Sequence, residues 1–161
     1  MITIIEGKPG QGKTVFGTDQ ILRALENKKT YVASNIEIDT KLLKRHSFRF
    51  EQLSLDNTIQ DILNIDTKKV YEEFGCNRIL IVIDEVQTIM NSREWDKMPP
   101  EFQFFLQQHR HFRMDIIGLT QSIRRADVVM RELVQYFYRI YKVAVIKIPF
   151  VGVVGDRKSV V

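Results

Sequence analysis

Residues 7–14 have the types and spacing of a loop that binds phosphate groups. Gly7 and Gly12, followed by Lys13 and Thr14, match the pattern Gly-x4-Gly-Lys-Thr. Glycine lets the backbone turn tightly and brings N–H groups close to an anion. The Lys13 ammonium suits the β- and γ-phosphates of a nucleotide, and the Thr14 hydroxyl suits Mg²⁺. The predicted nucleotide-binding residues are Gly7, Lys8, Pro9, Gly10, Gln11, Gly12, Lys13, Thr14 and Val15.

Such a loop requires a strand before it and a helix after it. Residues 2–5 are mostly β-branched and predict a strand over 2–6. The pattern after the loop predicts a helix over 14–28, with Val15, Leu22 and Leu25 on one face. The positive end of that helix dipole favours a bound anion. This order favours a nucleoside triphosphate site over the alternative, a glycine-rich turn without a ligand.

Two carboxylates follow a second predicted strand, at residues 78–84. Residues 79–83 are all apolar, as in a strand buried on both faces. Carboxylates buried at its end need a cation or water, and parallel sheets bind ligands at that end. We therefore predict that Asp84 holds Mg²⁺ together with Thr14, and that Glu85 is the catalytic base that orients the attacking water. The alternative is an acidic pair at a helix N-terminus.

Further catalytic candidates follow the loop and the acidic pair along the chain. Gln121, after a predicted strand at 115–120, is the first choice for a sensor of the γ-phosphate, and Thr120 is the second. The alternative is a simple turn at the strand end. An arginine often stabilises charge in phosphoryl transfer. The candidates are Arg110, Arg113, Arg124 and Arg125, with Arg124 preferred because it follows Gln121 near the expected subunit boundary.

Strands that alternate with helices predict a three-layer α/β/α fold with a mostly parallel, RecA-like sheet. The phosphate loop and the Asp84 strand are expected to be separated by another strand. The other predicted strands are 30–35, an edge strand at 46–53, and one or two extra C-terminal strands at 136–148. The other predicted helices are 58–74, one that opens at Pro100, and 124–135, with a loop at 91–100 beside the site.

The charges are unevenly distributed over the 161 residues, whose formal net charge is +4. Residues 1–100 hold 14 basic and 15 acidic residues, whereas residues 101–161 hold 10 and 5. The basic surplus could face nucleic acid, acidic lipid headgroups or a neighbouring subunit, or could be an ordinary solvated surface. The single cysteine, Cys76, excludes an internal disulfide and fits a reducing compartment. No apolar run approaches the roughly 18 residues that span a bilayer.

Four segments together resemble the zonular occludens toxin family, the assembly and secretion ATPases of filamentous bacteriophages. They are Ile4-Ile-Glu-Gly-Lys-Pro-Gly-Gln-Gly-Lys-Thr14, Ala33-Ser-Asn-Ile36, Ile81-Val-Ile-Asp-Glu-Val-Gln87 and Arg110-His-Phe-Arg-Met-Asp-Ile-Ile-Gly-Leu-Thr-Gln121. The resemblance implies a P-loop ATPase domain over 1–150 that uses ATP and Mg²⁺ on the cytoplasmic side of the bacterial inner membrane. It also implies a homo-oligomeric ring that works with phage coat or export machinery and single-stranded DNA.

Family members usually continue into a transmembrane helix and a periplasmic tail. Residues 151–161 are therefore expected to be a tail before a transmembrane segment, and contact with the host membrane to use a segment outside this chain. Alternative functions are a soluble DNA-translocating or packaging ATPase and a nucleotide-gated interaction or toxin module. The absence of a guanine-reading Asn/Thr-Lys-x-Asp motif favours adenine.

Overall fold

The computed structural model describes residues 1–89, 98–123, 128–141, 144–148, 152–156 and 159–160. The strands are β1 (Ile2–Glu6), β2 (Thr30–Ser34), β3 (Phe50–Gln52), β4 (Arg78–Ile83), β5 (Met114–Thr120), β6 (Tyr136–Ile140), β7 (Ala144–Ile148), β8 (Gly152–Asp156) and β9 (Ser159–Val160). The helices are α1 (Lys13–Glu26), α2 (Thr40–Leu43), α3 (Thr58–Leu63), α4 (Val86–Ile89), α5 (Pro100–Gln108) and α6 (Val128–Leu133). A 3₁₀ segment covers Lys44–Arg49, and a π-helical segment covers Lys69–Glu73.

The main sheet has the strand order β3-β2-β4-β5-β1-β6-β9. Its first six strands are parallel, and β9 pairs antiparallel with β6. Strand β5 lies between β1 and β4, since Ile116 is in register with both Ile2 and Ile81. One strand therefore separates the loop strand from the Asp84 strand, and the predicted RecA-like arrangement is confirmed. β7 and β8 form a separate antiparallel pair.

Two apolar clusters cover the two faces of the sheet, which gives the predicted three layers. In β4 the side chains alternate: Ile79, Ile81 and Ile83 belong to one cluster, and Leu80 and Val82 belong to the other. Helices α3 and α5 contribute to the first cluster, and α1 contributes to the second. The continuous apolar run of β4 is therefore explained by burial on both faces, as expected of a central parallel strand.

Helix α1 packs closely against the sheet because Gly17 lies at the contact. A Cβ built on Gly17 would lie 2.8 Å from side-chain atoms of Ile36 and Leu119. The buried face of α1 consists of Lys13, Gly17, Ile21 and Leu25. Of the predicted apolar face, Leu25 is buried and Leu22 is half-buried, but the inclusion of Val15 is wrong because Val15 is 57% exposed.

The predicted single helix over 58–74 is divided in two. Helix α3 ends at Leu63, and the chain becomes helical again only at residue 67, directly before the π-helical segment Lys69–Glu73. Asp66 accounts for the second start, because its carboxylate accepts the Lys69 N–H at 3.0 Å. The predicted edge strand over 46–53 shortens to β3 because Lys44–Arg49 forms a 3₁₀ segment.

Several smaller predictions can also be compared with the structure. Pro100 occupies the first turn of α5, as expected. The one or two extra strands predicted over 136–148 are present as β6 and β7, whereas β8 and β9 were not predicted. Most of the predicted loop at 91–100, and residues 124–127 of the predicted last helix, lie outside the described residues. Within the described residues, no helix has the length and apolarity that crossing a membrane requires.

Candidate nucleotide-binding site

The loop between β1 and α1 adopts a conformation that depends on its glycines. Gly10 has φ 74° and Gly12 has φ 90°, both in the left-handed region that side chains with a Cβ disfavour. Gly12 immediately precedes the first residue of α1. The loop therefore leads directly into a helix N-terminus, where backbone N–H groups and the helix dipole favour a phosphate.

Gly7 begins the loop in a crowded position. Its N–H donates to the Thr120 carbonyl at 3.1 Å, which joins the loop to β5. A Cβ at this position would lie 3.2 Å from Gln11 Oε1 and 3.3 Å from Lys13 Cγ. Gln11 Oε1 also accepts the N–H of Lys8. A larger residue at position 7 would thus press on the side chains that shape the loop.

Lys13 is 6% exposed, although it carries a charge. Within the part of the chain that the structure describes, no ion pair or hydrogen bond to its ammonium is found. A nearly buried cation is costly unless an anion accompanies it. The position of Lys13 at the start of α1 is therefore suited to a phosphate ligand.

Thr14 and Asp84 meet in space as the sequence predicts for a shared metal site. The Thr14 hydroxyl donates a hydrogen bond of 2.6 Å to Asp84 Oδ2. Hydroxyl and carboxylate oxygens are hard ligands of the kind that Mg²⁺ prefers. They fit an ion that is bound by one or two protein oxygens and completed by phosphates and water.

Asn35 is a site residue that sequence reasoning missed. It follows β2 and is 6% exposed. Its Oδ1 accepts the Asp84 N–H at 2.7 Å, and its Nδ2 donates to the Asp84 carbonyl at 3.1 Å. This pair of bonds holds the Asp84 backbone from the neighbouring strand. The available signal was a polar residue at the end of a strand in a parallel sheet, where ligands bind.

Glu85 has an unusual backbone conformation, and each of its two carboxylate oxygens accepts a hydrogen bond. Its φ of 51° lies in the left-handed region, which is uncommon for a residue with a long side chain. Glu85 Oε1 accepts Gln121 Nε2 at 3.0 Å, and Oε2 accepts Gln87 Nε2. Gln121 therefore contacts the predicted base, as a residue that senses the site should. Gln87 was not predicted as a site residue.

Glu6 and Arg139 support the loop from the other side and were also missed. Glu6 ends β1, and its carboxylate accepts Arg139 Nε at 2.6 Å and the Ile123 N–H at 3.0 Å. Hydrogen bonds to the Tyr141 hydroxyl and to Glu6 raise the pKa of Arg139 above its usual value. This contact ties β6 and the segment after Gln121 to the residue that precedes Gly7.

The predicted arginines are not brought to the site by the described residues. Arg110 and Arg113 precede β5, whereas Gln121 follows it. A parallel strand of this length separates its ends by roughly 20 Å. Neither arginine can therefore act on the phosphate loop of its own chain in this arrangement. Arg124 and Arg125 lie outside the described residues.

A cavity of about 380 Å³ opens beside these groups. Its walls include Thr14, Asn35, Asp84 and Glu85. The cavity wall therefore combines a hydroxyl–carboxylate pair with a second carboxylate, and Thr14 in that wall directly follows Lys13 at the start of α1. These groups can bind a magnesium–triphosphate complex and polarise a water molecule.

Comparisons with known proteins agree with this fold. The sequence model of the family described as "Zonular occludens toxin (Zot)" matches residues 1–153. The Gene 1 protein of Enterobacteria phage I2-2 is 30% identical over 94% of this chain and 43% of that protein. The Gene 1 protein of Salmonella phage IKe is 29% identical over the same shares. The chain thus spans less than half the length of these relatives.

Solved structures show the same architecture. The N-terminal domain of zonular occludens toxin from Neisseria meningitidis is 27% identical, with a TM-score of 0.55, over 89% of this chain and 79% of that one. The genome packaging NTPase B204 of Sulfolobus turreted icosahedral virus 2, in complex with ATP-gammaS, is 13% identical with a TM-score of 0.65, over 87% and 74%. The second likeness establishes a P-loop NTPase fold alone. The match over residues 1–153 shows that this chain belongs to the zonular occludens toxin family.

Proposed function

We propose that this chain is the ATP-hydrolysing domain of a motor for filamentous phage assembly and extrusion. The observation that carries the proposal is the 2.6 Å contact of Thr14 with Asp84, next to Glu85. It joins a phosphate loop to an acidic pair, which is the combination that hydrolysis needs and that phosphate binding alone does not. Membership of a family of phage proteins supports the biological setting.

In this proposal residues 7–15 bind the triphosphate, and Lys13 pairs with the β- and γ-phosphates. Thr14 and Asp84 would hold Mg²⁺, which neutralises charge on the phosphate oxygens. Glu85 accepts the proton of the attacking water, and Gln121 helps to orient that water. The amino-acid sequence has no guanine-reading Asn/Thr-Lys-x-Asp motif, and this absence favours ATP over GTP.

An arginine from a neighbouring copy would complete the site, with Arg124 as the first candidate. A homo-oligomeric ring is the arrangement that supplies such a residue to every site. Arg124 itself lies outside the residues that the structure describes. We propose that the assembled protein is such an oligomer and that each copy contributes directly to hydrolysis in its neighbour.

A cationic cleft at the amino ends of the strands is our candidate surface for single-stranded DNA. It has a volume of about 720 Å³, and its walls include Arg78, Arg110, Arg113 and Tyr136. Asp115 is the acidic residue in the cleft, and it pairs with Arg78 at 2.7 Å. Guanidinium groups suit phosphodiesters and an exposed tyrosine suits a base. We further propose that phage coat or export proteins are partners, and that the domain works on the cytoplasmic side of the host inner membrane.

The decisive experiment measures phosphate release from ATP with Mg²⁺, with and without single-stranded DNA, over a range of salt concentrations. We expect steady turnover that DNA increases, and loss of turnover in Glu85→Gln with nucleotide binding retained. Nucleotide binding without turnover in the intact protein would refute the motor and favour a nucleotide-gated interaction module. Turnover that single-stranded DNA does not change at low salt would contradict the proposal that the cleft binds DNA, and the proposed ATPase activity would stand.

A further inference from the structure

A series of hydrogen bonds links the phosphate loop to Glu85 through two buried side chains. The Gly7 N–H donates to the Thr120 carbonyl at 3.1 Å. The Thr120 hydroxyl donates to Gln87 Oε1 at 2.6 Å, and Gln87 Nε2 donates to Glu85 Oε2. We call the Thr120 and Gln87 side chains the relay.

Thr120 is fully enclosed by the protein, with 0% of its surface exposed. Its hydroxyl donates to Gln87 and also accepts the Ser122 N–H at 3.2 Å. The hydroxyl therefore donates one hydrogen bond and accepts one, and both partners are protein atoms. Thr120 therefore acts through Gln87 and does not itself contact a nucleotide or an attacking water.

The relay determines which end of the Gln87 amide faces Glu85. A hydroxyl has one proton to donate, and Thr120 gives it to the amide oxygen of Gln87. The amide nitrogen then faces the Glu85 carboxylate, which can only accept hydrogen bonds when ionised. Gln87 is 9% exposed, so the surrounding protein restricts other side-chain orientations.

We propose that Gln87, oriented by Thr120, is a positioning residue that holds the Glu85 carboxylate in place for hydrolysis. This inference rests on the proposed ATPase function. The ionised carboxylate has about four acceptor sites, and Gln87 and Gln121 donate to different oxygens of the Glu85 carboxylate. Gln121 is exposed, so its side chain can move when a ligand enters the site. The buried relay instead supplies a fixed contact to the Glu85 carboxylate.

The relay also connects the base to the nucleotide loop. Gly7 opens that loop, and its N–H donates to the backbone carbonyl of Thr120. The hydroxyl of the same Thr120 orients Gln87. The position of Glu85 therefore depends on contacts that begin at the phosphate loop. Such contacts behind the reacting groups matter because small displacements of a positioned base reduce the rate strongly.

The test uses Thr120→Val, which removes the hydroxyl and keeps the shape, and Thr120→Ser, which keeps the hydroxyl. Gln87→Met removes the amide with a side chain of similar length. We expect kcat to fall about ten- to hundredfold in the Val and Met variants, with the Kd for a non-hydrolysable ATP analogue within about twofold. The Ser variant should keep near-wild-type kcat. Gln60→Met, at an exposed glutamine of α3, is the matched control and should leave turnover unchanged.

The relay can be separated from a general loss of structure by combining it with a change of Glu85. In a Glu85→Gln background, Thr120→Val should cause no further loss of single-turnover rate, because the relay acts only through Glu85. Thermal unfolding identifies a variant that does not fold. If Thr120→Val does not fold, the kcat of Gln87→Met tests the proposal.

Wild-type kcat in a folded Gln87→Met variant overturns the relay and leaves the proposed ATPase standing. Equal loss in the Val and Ser variants also overturns it, because the hydroxyl would then be irrelevant. An intact protein without any hydrolysis overturns the proposed function itself, which is a distinct result.

Discussion

The Thr14 hydroxyl and the Asp84 carboxylate are 2.6 Å apart, although 70 positions separate them in the sequence. One residue lies in the first turn of α1, and the other follows β4. Strand β5 lies between their strands and aligns the ends, with Thr120 beside Glu6 and Gly118 beside Ile83. The site is therefore a product of parallel strand register, which brings the carboxyl ends of β1, β4 and β5 to one edge.

Lys13→Ala should weaken nucleotide binding. The nearly buried Lys13 ammonium is placed for a charge-assisted contact with phosphate, and such contacts contribute about 1.5–3 kcal/mol. We expect the Kd for ATP to rise roughly ten- to hundredfold by titration calorimetry. Lys29→Ala, an exposed lysine beyond the other end of α1, is the control. Equal affinity in both variants would contradict the assigned role of Lys13.

Asn35→Ala should reduce turnover by loosening Asp84. The Asn35 amide makes both bonds to the Asp84 backbone, at 2.7 and 3.1 Å. We expect kcat to fall about tenfold and the Mg²⁺ concentration for half-maximal rate to rise, since supporting contacts to metal ligands typically contribute 10–100-fold. A Mg²⁺ titration of phosphate release measures both effects. Asn57→Ala, at an exposed asparagine before α3, should change neither.

Arg49→Met should destabilise the fold. Arg49 is 3% exposed, and its guanidinium donates to the carbonyls of Leu25, Asn27 and Thr30 at 2.7–3.0 Å. Methionine would leave these three carbonyls, which extend from the last turn of α1 to the start of β2, without the guanidinium donor. We expect the free energy of unfolding in urea to fall by about 2–4 kcal/mol. Arg23→Met removes only an exposed pair with Asp19, and its effect should be much smaller.

His109 should make stability depend on pH. Burial lowers the pKa of His109 below its usual 6.5. Its Nδ1 faces the Leu106 carbonyl at 2.7 Å, and its buried Nε2 has no hydrogen-bond partner among the described residues. The unfolded chain therefore binds the proton better, and folding stability should decline as pH falls through about 6.5.

The His109 effect can be isolated by urea unfolding at pH 7.5 and 5.5. His109→Leu should flatten the difference between the two values, whereas His111→Leu, at an exposed histidine, should retain it. An unchanged pH dependence in His109→Leu would assign the effect to other groups.

Arg124→Ala should lower turnover by more than about tenfold and spare nucleotide binding, as expected for an arginine that meets charge in the transition state. If Arg124 acts in a neighbouring subunit, mixing Arg124→Ala with Lys13→Ala should restore activity. Each variant then supplies the group that the other lacks. Wild-type turnover by Arg124→Ala alone would eliminate this residue.

The local patterns were sufficient for the phosphate loop and the Asp84 strand. Gly7, Gly12, Lys13 and Thr14 have a spacing that short-range backbone geometry demands, and the apolar run of β4 reports burial on both faces. The order of elements predicted the mostly parallel three-layer fold, and analogy with RecA-like sheets predicted a strand between β1 and β4. Helix 58–74 was predicted wrongly because a continuous helical pattern conceals the restart at Asp66.

The amino-acid sequence by itself determined the nucleotide chemistry that we propose, because the spacing of a phosphate-binding loop and an acidic strand end are local features. Only the tertiary structure decided the supporting contacts. Asn35, Gln87 and Arg139 carry no spacing signal, since their partners Asp84, Glu85 and Glu6 are set by which strands are neighbours and by their register. Long-range hydrogen bonds of this kind depend on the packed sheet, and no window of sequence contains both ends.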